Sequence, residues 1–484
     1  MQPKLELLTP DLISRILDEA FQLMLKPGIK VQDAAARDLL ASAGSTVDGD
    51  IVRIPEKVVR KALAGVPATF YLYDRAGKRS VTYGGDAVHF DPGSSGVHVL
   101  DPETLEHKSS ETADLVRLVK VAEMLPAYDA QSTAVVCNEV PKAIGDLYRL
   151  YIVLLYSAKP IVTGAFSVST LHNMIDMLAI FRGGRKGLAE KPLAVFDVCP
   201  SPPLIWSEFG AGNLIELARA SVPAELISMP LAGAAAPVTL LGSVVQHAAE
   251  SLSGIAIHQL ANPGAPIVWG GAPAIFDMRR GTTPMGAVET AMIDAAYAQV
   301  GKSLRLPTHC YLGASDAKIV DAQAGLESGV TAILGALAGV NMISGAGMLD
   351  FLACQSAEKL VVDAEAIGMA KRLVAGIQVR TETLATALFE GINFKGDFLK
   401  QKLTRELFPK EQYLPSAVID RDSIRGWQQA GSLDTFARAK ARTAQLLGEY
   451  RRPQRVVEQE KELRTMVESL SRQAGMEHLP ELGE

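Results

Sequence analysis

Eight times between residues 88 and 377 the chain passes from a short apolar stretch, ending in Gly, Pro or polar residues, into a longer segment of helical period. The short stretches are 88–93, 127–136, 160–166, 192–201, 224–233, 265–271, 305–313 and 339–347. The helical segments are 109–124, 141–157, 168–182, 207–221, 238–262, 285–301, 317–337 and 355–377. Strand and helix alternating at this spacing is the pattern of parallel βαβ units. Eight units fit a closed (β/α)8 TIM barrel, which takes about 250 residues plus insertions. An open doubly wound sheet is the alternative. The predicted architecture is therefore α/β, with an N-terminal helical and β-hairpin cap (1–87), a (β/α)8 barrel (88–377) and a C-terminal helical extension (378–484).

The cap shows helical periodicity over 9–43, started by Thr9-Pro10-Asp11, and a hairpin over 68–85 around Arg75-Ala76-Gly77-Lys78. Beyond 378 the chain is polar and helical, and its charged stretch 450–473 suits a solvated or subunit-contacting helix, so a homo-oligomer is expected. A net charge of −6 without a long Lys/Arg block argues against nucleic acid as a partner. No secretory leader is visible. The apolar run 331–354 contains Asn341, Ser344, Asp350 and four glycines, which suits a buried helix end and strand better than a membrane span. A cytoplasmic protein is expected, with Cys137, Cys199, Cys310 and Cys354 reduced because no CxxC spacing links them.

In such a barrel the active site lies where the strands end. Reading those ends gives Phe90 and Asp91 on the first strand, Asn138 and Glu139 after the second, Phe166 on the third, and Asp197 and Cys199 on the fourth. The fifth ends in Gly233; the sixth in Gly270 and Gly271, with Phe276, Asp277 and Arg279 beyond. The seventh brings His309, Tyr311, Ser315 and Asp316, and the eighth Ser344, Asp350 and Phe351. The seventh segment, "RLPTHCYLGASDAK" (305–318), admits three readings. A zinc site or a Cys310 nucleophile needs several groups converging, whereas neighbouring strand residues such as His309 and Cys310 face apart. The third reading is a buried strand with Cys310 in the wall and Asp316 as N-cap of the next helix. No protein-bound metal is expected. Glycines at strand ends let backbone approach a large flat ligand closely, which makes Gly93, Gly233, Gly270, Gly271 and Gly345 candidates for cofactor contact. They match neither GxGxxG nor a Walker motif.

Four motifs, "FDPGSSGVHVLD" (90–101), "GGAPAIFDMRRGTTPMGAVE" (270–289), "LPTHCYLGASDAKIVDAQAGLE" (306–327) and "ALAGVNMISGAGMLD" (336–350), resemble the trimethylamine methyltransferase family in order and spacing. The resemblance implies a (β/α)8 barrel that moves a methyl group from a methylated amine to the cobalt of a corrinoid (cobalamin) carried by a separate protein. Archaeal trimethylamine members carry pyrrolysine immediately after a Leu-Pro on strand seven. Here that place reads Leu306-Pro307-Thr308-His309, which resembles the non-pyrrolysine branch, whose characterised members act on glycine betaine and related quaternary amines.

A quaternary ammonium leaves as a neutral tertiary amine when Co(I) takes its methyl group, so no general acid is required. The protein must supply orientation, a dry pocket and groups that stabilise a cation. The resemblance therefore puts forward Phe90, Trp206, Phe276, Tyr311 and Phe351 as aromatic contacts, Asp197 or Glu139 as anionic partners, and His309 or Arg279 for a substrate carboxylate. Strand seven is open between two registers, one presenting His309 and Tyr311 to the lumen and the other Thr308, Cys310 and Leu312. Two other readings stay open: a non-catalytic binder of a small cation, and a barrel hydrolase or lyase using Asp91, Glu139 and Asp197.

Overall fold

The computed structural model describes residues 2–390, 394, 396–454 and 456–482. Eight strands occupy the repeat: β1 (His89–Pro92), β2 (Gln131–Ser132), β3 (Ile161–Gly164), β4 (Ala194–Val198), β5 (Ala224–Ser228), β6 (Ile267–Gly271), β7 (His309–Cys310) and β8 (Met342–Ala346). They lead in turn to α1 (Thr112–Met124), α2 (Gly145–Tyr156), α3 (Val168–Ile180), α4 (Glu208–Ala220), α5 (Leu240–Ala261), α6 (Val288–Ser303), α7 (Ala322–Leu337) and α8 (Ala357–Val374). Each strand lies inside its predicted stretch. Strands buried on both faces read as unbroken apolar runs, and the helices announce themselves by N-caps: Ser167, Ser207, Thr239, Asp321 and Ser356 each accept a hydrogen bond from a first-turn N–H.

The fold is mixed α/β. Strands β2 to β6 form one parallel sheet in chain order, and β7, β8 and β1 form a second. Two narrow joins link the sheets. The Trp269 N–H of β6 donates to the Pro307 carbonyl at 2.9 Å, beside an isolated parallel bridge from Trp269 to Thr308. On the other side the Asp129 N–H donates to the Phe90 carbonyl at 2.8 Å, and Ser132 Oγ donates to the Gly93 carbonyl at 2.9 Å.

The predicted hairpin forms from Thr69–Tyr73 and Arg79–Gly84 and seals the lower end of the strands. Its Phe70, Leu72, Val81 and Tyr83 pack with Ala130, Val162, Val195, Val268 and Met342, one residue from each of five strands or their edges. The N-terminal helix Pro10–Leu25 lies on α5, which is consequently buried along nearly its whole length. A small sheet of Ile29–Val31, Thr46–Asp48 and Ile51–Arg53 takes in Ile205–Trp206 from the loop after β4. The C-terminal helix Val457–Gln473 buries Leu463, Val467 and Ser471 against α2 and α3 of its own chain. The expected N-cap at Asp316 is corrected: α7 starts six residues later, capped by Asp321, while Asp316 accepts the Met285 and Gly286 N–H groups at 2.8 and 3.1 Å. Among the described residues no helix is long and apolar enough to cross a membrane.

Candidate active site

Side chains alternate along a strand, so the hairpin plug sets which residues look into the lumen. Val195 and Met342 meet the plug; two residues on, Asp197 and Ser344 face the same way. Register carries this around the wall: Asp197 pairs with Glu225, His309 with Met342, and Asp91 with Ser344. His309 and Tyr311 therefore face the lumen, and Cys310 lies in the core between strands and helices.

The resulting cluster is polar: Asp91, Glu225, His309, Tyr311 and Ser344 are buried, and Asp197 and Ser94 are partly exposed at its upper edge. Tyr311 Oη donates to Asp197 Oδ2 at 2.9 Å and lies 3.3 Å from Ser94 Oγ, while its ring meets the His309 imidazole edge-on at 5.0 Å between centroids. Ser344 Oγ donates to Asp91 Oδ1 at 2.5 Å and is 3.0 Å from His309 Nε2. When Ser344 donates to Asp91 it accepts from His309, which in that arrangement places the imidazole proton on Nε2. His309 Nδ1 then has no hydrogen-bond partner among the described residues. Glu225 Oε1 stands 3.3 Å from His309 Nε2, and Glu225 lies beside both Asp197 and Tyr83 of the plug without a well-aligned hydrogen bond to either.

Burial controls the charge of this cluster. It pushes the Asp91 and Glu225 carboxyls well above the ordinary range, with the charge of Asp197 adding to both. It lifts Asp197 to about 7, against the lowering effect of the Tyr311 hydrogen bond, and takes His309 down to about 3. At neutral pH the site holds a neutral imidazole and carboxyls that are mostly protonated. A cation placed among them favours their ionised forms and is stabilised in return.

One residue absent from the sequence reading completes the mouth. Arg149, on α2, is buried, and its Nη1 donates to Ser95 Oγ at 3.0 Å and the Thr133 carbonyl at 3.1 Å beneath the Phe166 ring. Glu225 and Arg149 share a signal that could have found them: each is a lone charge in an apolar segment, "AELIS" and "LYRLYIVLLY". Burying such a charge is costly unless it is used.

The other predicted residues do not gather here. Phe90 is turned outward into the helix layer, with Lys371 Nζ 5.8 Å from its ring, because its neighbour Asp91 takes the inward position. Trp206 belongs to the N-terminal sheet, where its Nε1 donates to Ser253 Oγ of α5 at 2.9 Å. Glu139 is exposed and accepts the Thr112 N–H at 2.6 Å at the start of α1. The Arg279 side chain is 88% exposed and grips Asp277 through two hydrogen bonds of 3.0 and 2.8 Å. Phe276 is half-buried on the loop beyond β6, near Gly233, and Phe351 already has Lys318 Nζ 4.0 Å from its ring centroid.

Four of the five glycines serve the wall itself. A Cβ on Gly93 would collide with Met348, on Gly270 with the Leu226 carbonyl, on Gly271 with His247, and on Gly345 with the Leu312 carbonyl. Close neighbouring backbone and side chains therefore account for glycine at these four positions. Gly233, at φ +96°, lies in ordinary contact range of Val238 and Phe276, and its left-handed backbone by itself favours glycine. Among the described residues no group of three or more His, Cys, Asp or Glu is placed to hold a metal ion.

The family model described as trimethylamine methyltransferase matches residues 1–476. A trimethylamine methyltransferase of Methanosarcina thermophila is 32% identical over 456 residues, covering 92% of this chain and 93% of that protein. A glycine betaine methyltransferase of Desulfitobacterium hafniense is 29% identical over 478 residues, covering 98% and 99%. Among solved structures, the monomethylamine methyltransferase of Methanosarcina barkeri shares the fold at a TM-score of 0.53 and 13% identity, over 92% of this chain and 89% of that one. The match spans almost the entire chain, from the hairpin plug through every strand that lines the lumen to the last helix: the chain belongs to the trimethylamine methyltransferase family and is a methyltransferase.

Proposed function

We propose that the protein transfers a methyl group from a quaternary amine, glycine betaine foremost, to the Co(I) of a corrinoid carried by a separate protein or of free cob(I)alamin. The observation that carries this reading is the cluster of buried Asp91 and Glu225 with partly buried Asp197 around a neutral His309 and Tyr311: an enclosed site whose carboxyls ionise in answer to a cation. We read the two sheets as one closed (β/α)8 barrel, supported by the joins at Trp269–Pro307 and Asp129–Phe90, with the acceptor approaching the open upper end. Gly233, on the loop that follows β5, offers bare backbone to a broad flat acceptor.

In the transfer the bond between nitrogen and one methyl carbon breaks, and its electron pair stays on nitrogen as the lone pair of a neutral tertiary amine. The acceptor supplies both electrons of the new bond, so no proton moves. The carboxyls and Tyr311 hold the ammonium head and keep water out, fixing one N–CH3 bond along the line of approach. Aromatic faces contribute less than expected, because Phe90 and Trp206 face away, which leaves Tyr311 beside Asp197 and Tyr83 of the plug beside Glu225.

The test is to mix the protein with cob(I)alamin and glycine betaine, following the corrinoid spectrum and the appearance of dimethylglycine by NMR. Equal amounts of methylated corrinoid and dimethylglycine are expected. No methylated corrinoid with glycine betaine, proline betaine, carnitine or choline would sink the proposal.

A further inference from the structure

Resting on that reading of the lumen, we propose that Arg149 binds the carboxylate of the substrate, so that the protein selects a short zwitterion, a quaternary ammonium bearing a nearby carboxylate, over a methylamine or an amino alcohol such as choline. Arg149 is a buried guanidinium at the upper end of the strands: its contacts, Ser95, Thr133 and Phe166, follow β1, β2 and β3. No carboxylate lies within ion-pair distance of it among the described residues. Its closest compensating charge on α2, Asp146, is spent on other donors: Oδ1 takes the Leu147 N–H at 2.8 Å, while Oδ2 takes the Phe166 N–H at 2.7 Å and Thr170 Oγ1 at 2.5 Å. Arg149 Nε is buried with no hydrogen-bond partner among the described residues.

A guanidinium held in the interior without a carboxylate is costly, and its planar fork matches the two oxygens of a carboxylate. What covers it is slight. Ser95 is exposed and sits at φ 62°, and Phe166 is 51% exposed, so both can yield to a ligand. Asp197 and Tyr311 feel the charge of Arg149, which is joined to them through Ser95 and the neighbouring Ser94. The lumen thus presents acids to one end of a small molecule and a cation to the other, which is the charge pattern of a betaine. Neither residue first expected to hold the carboxylate can do so from its place: Arg279 is paired with Asp277 on the surface, and His309 Nε2 is engaged with Ser344.

Calorimetry on the full chain tests this without a corrinoid, using glycine betaine, choline and tetramethylammonium, alone and with Arg149→Lys. Glycine betaine is expected to bind about 100-fold more tightly than choline, the difference one charge-assisted pair makes. In Arg149→Lys, checked for an unchanged circular dichroism spectrum, that preference falls at least about tenfold while choline affinity moves less than about threefold. Equal binding of betaine and choline by the natural protein overturns the inference and leaves the methyltransferase reading standing. Equal weakening of both ligands in the variant also overturns it. If no quaternary ammonium binds, the reading beneath it fails as well.

Discussion

Two layers on the plugged face of the strands lie two residues apart and differ in almost every property. The lower layer, Ala130, Val162, Val195, Val268 and Met342, is closed by the stacked Phe70 and Tyr83 rings of the hairpin, 4.8 Å between centroids. The upper layer replaces Val195 by Asp197 and Met342 by Ser344, with Asp91 beside them; Glu225 stands at the boundary, where Tyr83 reaches up to it. The lower layer contributes stability, since each aliphatic side chain taken from water is worth about 1.5–3 kcal/mol. The upper layer gives stability up, because acids held in a dry site are favoured only when something charged joins them.

The largest break of this comparison is Val268→Asp, which carries the chemistry of the upper layer down one step. A carboxyl there would stand against the plug and, across the strand pairing, beside the Glu225 carboxyl, with no cation among the described residues to offset it, and a loss of about 4 kcal/mol or more is expected. A fall in the urea midpoint, or no soluble protein, checks it; a stable variant would show that the plug admits water.

Asp197→Asn sharpens the contrast from the other side. The folded protein holds the Asp197 proton up to about 7, whereas the unfolded chain releases it near 3.8. Below 3.8 both states are protonated and stability is unaffected; as pH rises toward 7 the folded state binds more proton than the unfolded one, so stability falls. The amide has no such penalty, and Asp197→Asn is expected to be more stable than the natural protein at pH 8, by about 2–4 kcal/mol, with little difference at pH 4. It should also lose tetramethylammonium binding by about tenfold or more. Denaturant titrations at the two pH values and calorimetry decide both halves.

A smaller effect follows without mutation. A cation favours ionised Asp197, so tetramethylammonium affinity should rise about tenfold between pH 6 and pH 8 and binding should release a proton. Calorimetry in two buffers of different ionisation enthalpy reads the proton directly. A flat profile would mean that the ammonium does not sit against Asp197.

The two layers also explain what could be read from the sequence. The strands were visible because both faces of a parallel strand are buried and the run stays apolar, and the helices because Ser, Thr and Asp caps mark their starts. Inside the site, parity decided the outcome: Phe90 and Asp91 are adjacent, and nothing local says which one looks inward until the plug fixes Val195 and Met342. Trp206 misled because the loop after β4 joins the N-terminal sheet, a long-range pairing that no local pattern records. Glu225 and Arg149 were passed over because strand and helix patterns are read from apolar residues, so a single charge within them looks like noise.

The smallest expected effect is also the sharpest separation of surface from lumen. Arg279→Ala removes a guanidinium that stood, on sequence alone, as well placed as any to meet a substrate carboxylate. In the folded chain its Nε and Nη2 are already engaged by Asp277, whose carboxyl is held down to about 2 by that contact, and its side chain is solvated. Exposed pairs of this kind contribute little. Glycine betaine affinity in Arg279→Ala should therefore stay within about twofold of the natural protein, while Arg149→Lys, altering a cation that solvent does not reach, shifts the same measurement strongly. A tenfold loss on Arg279→Ala would move the carboxylate contact to the loop beyond β6, and would require that loop to fold over the mouth when substrate binds.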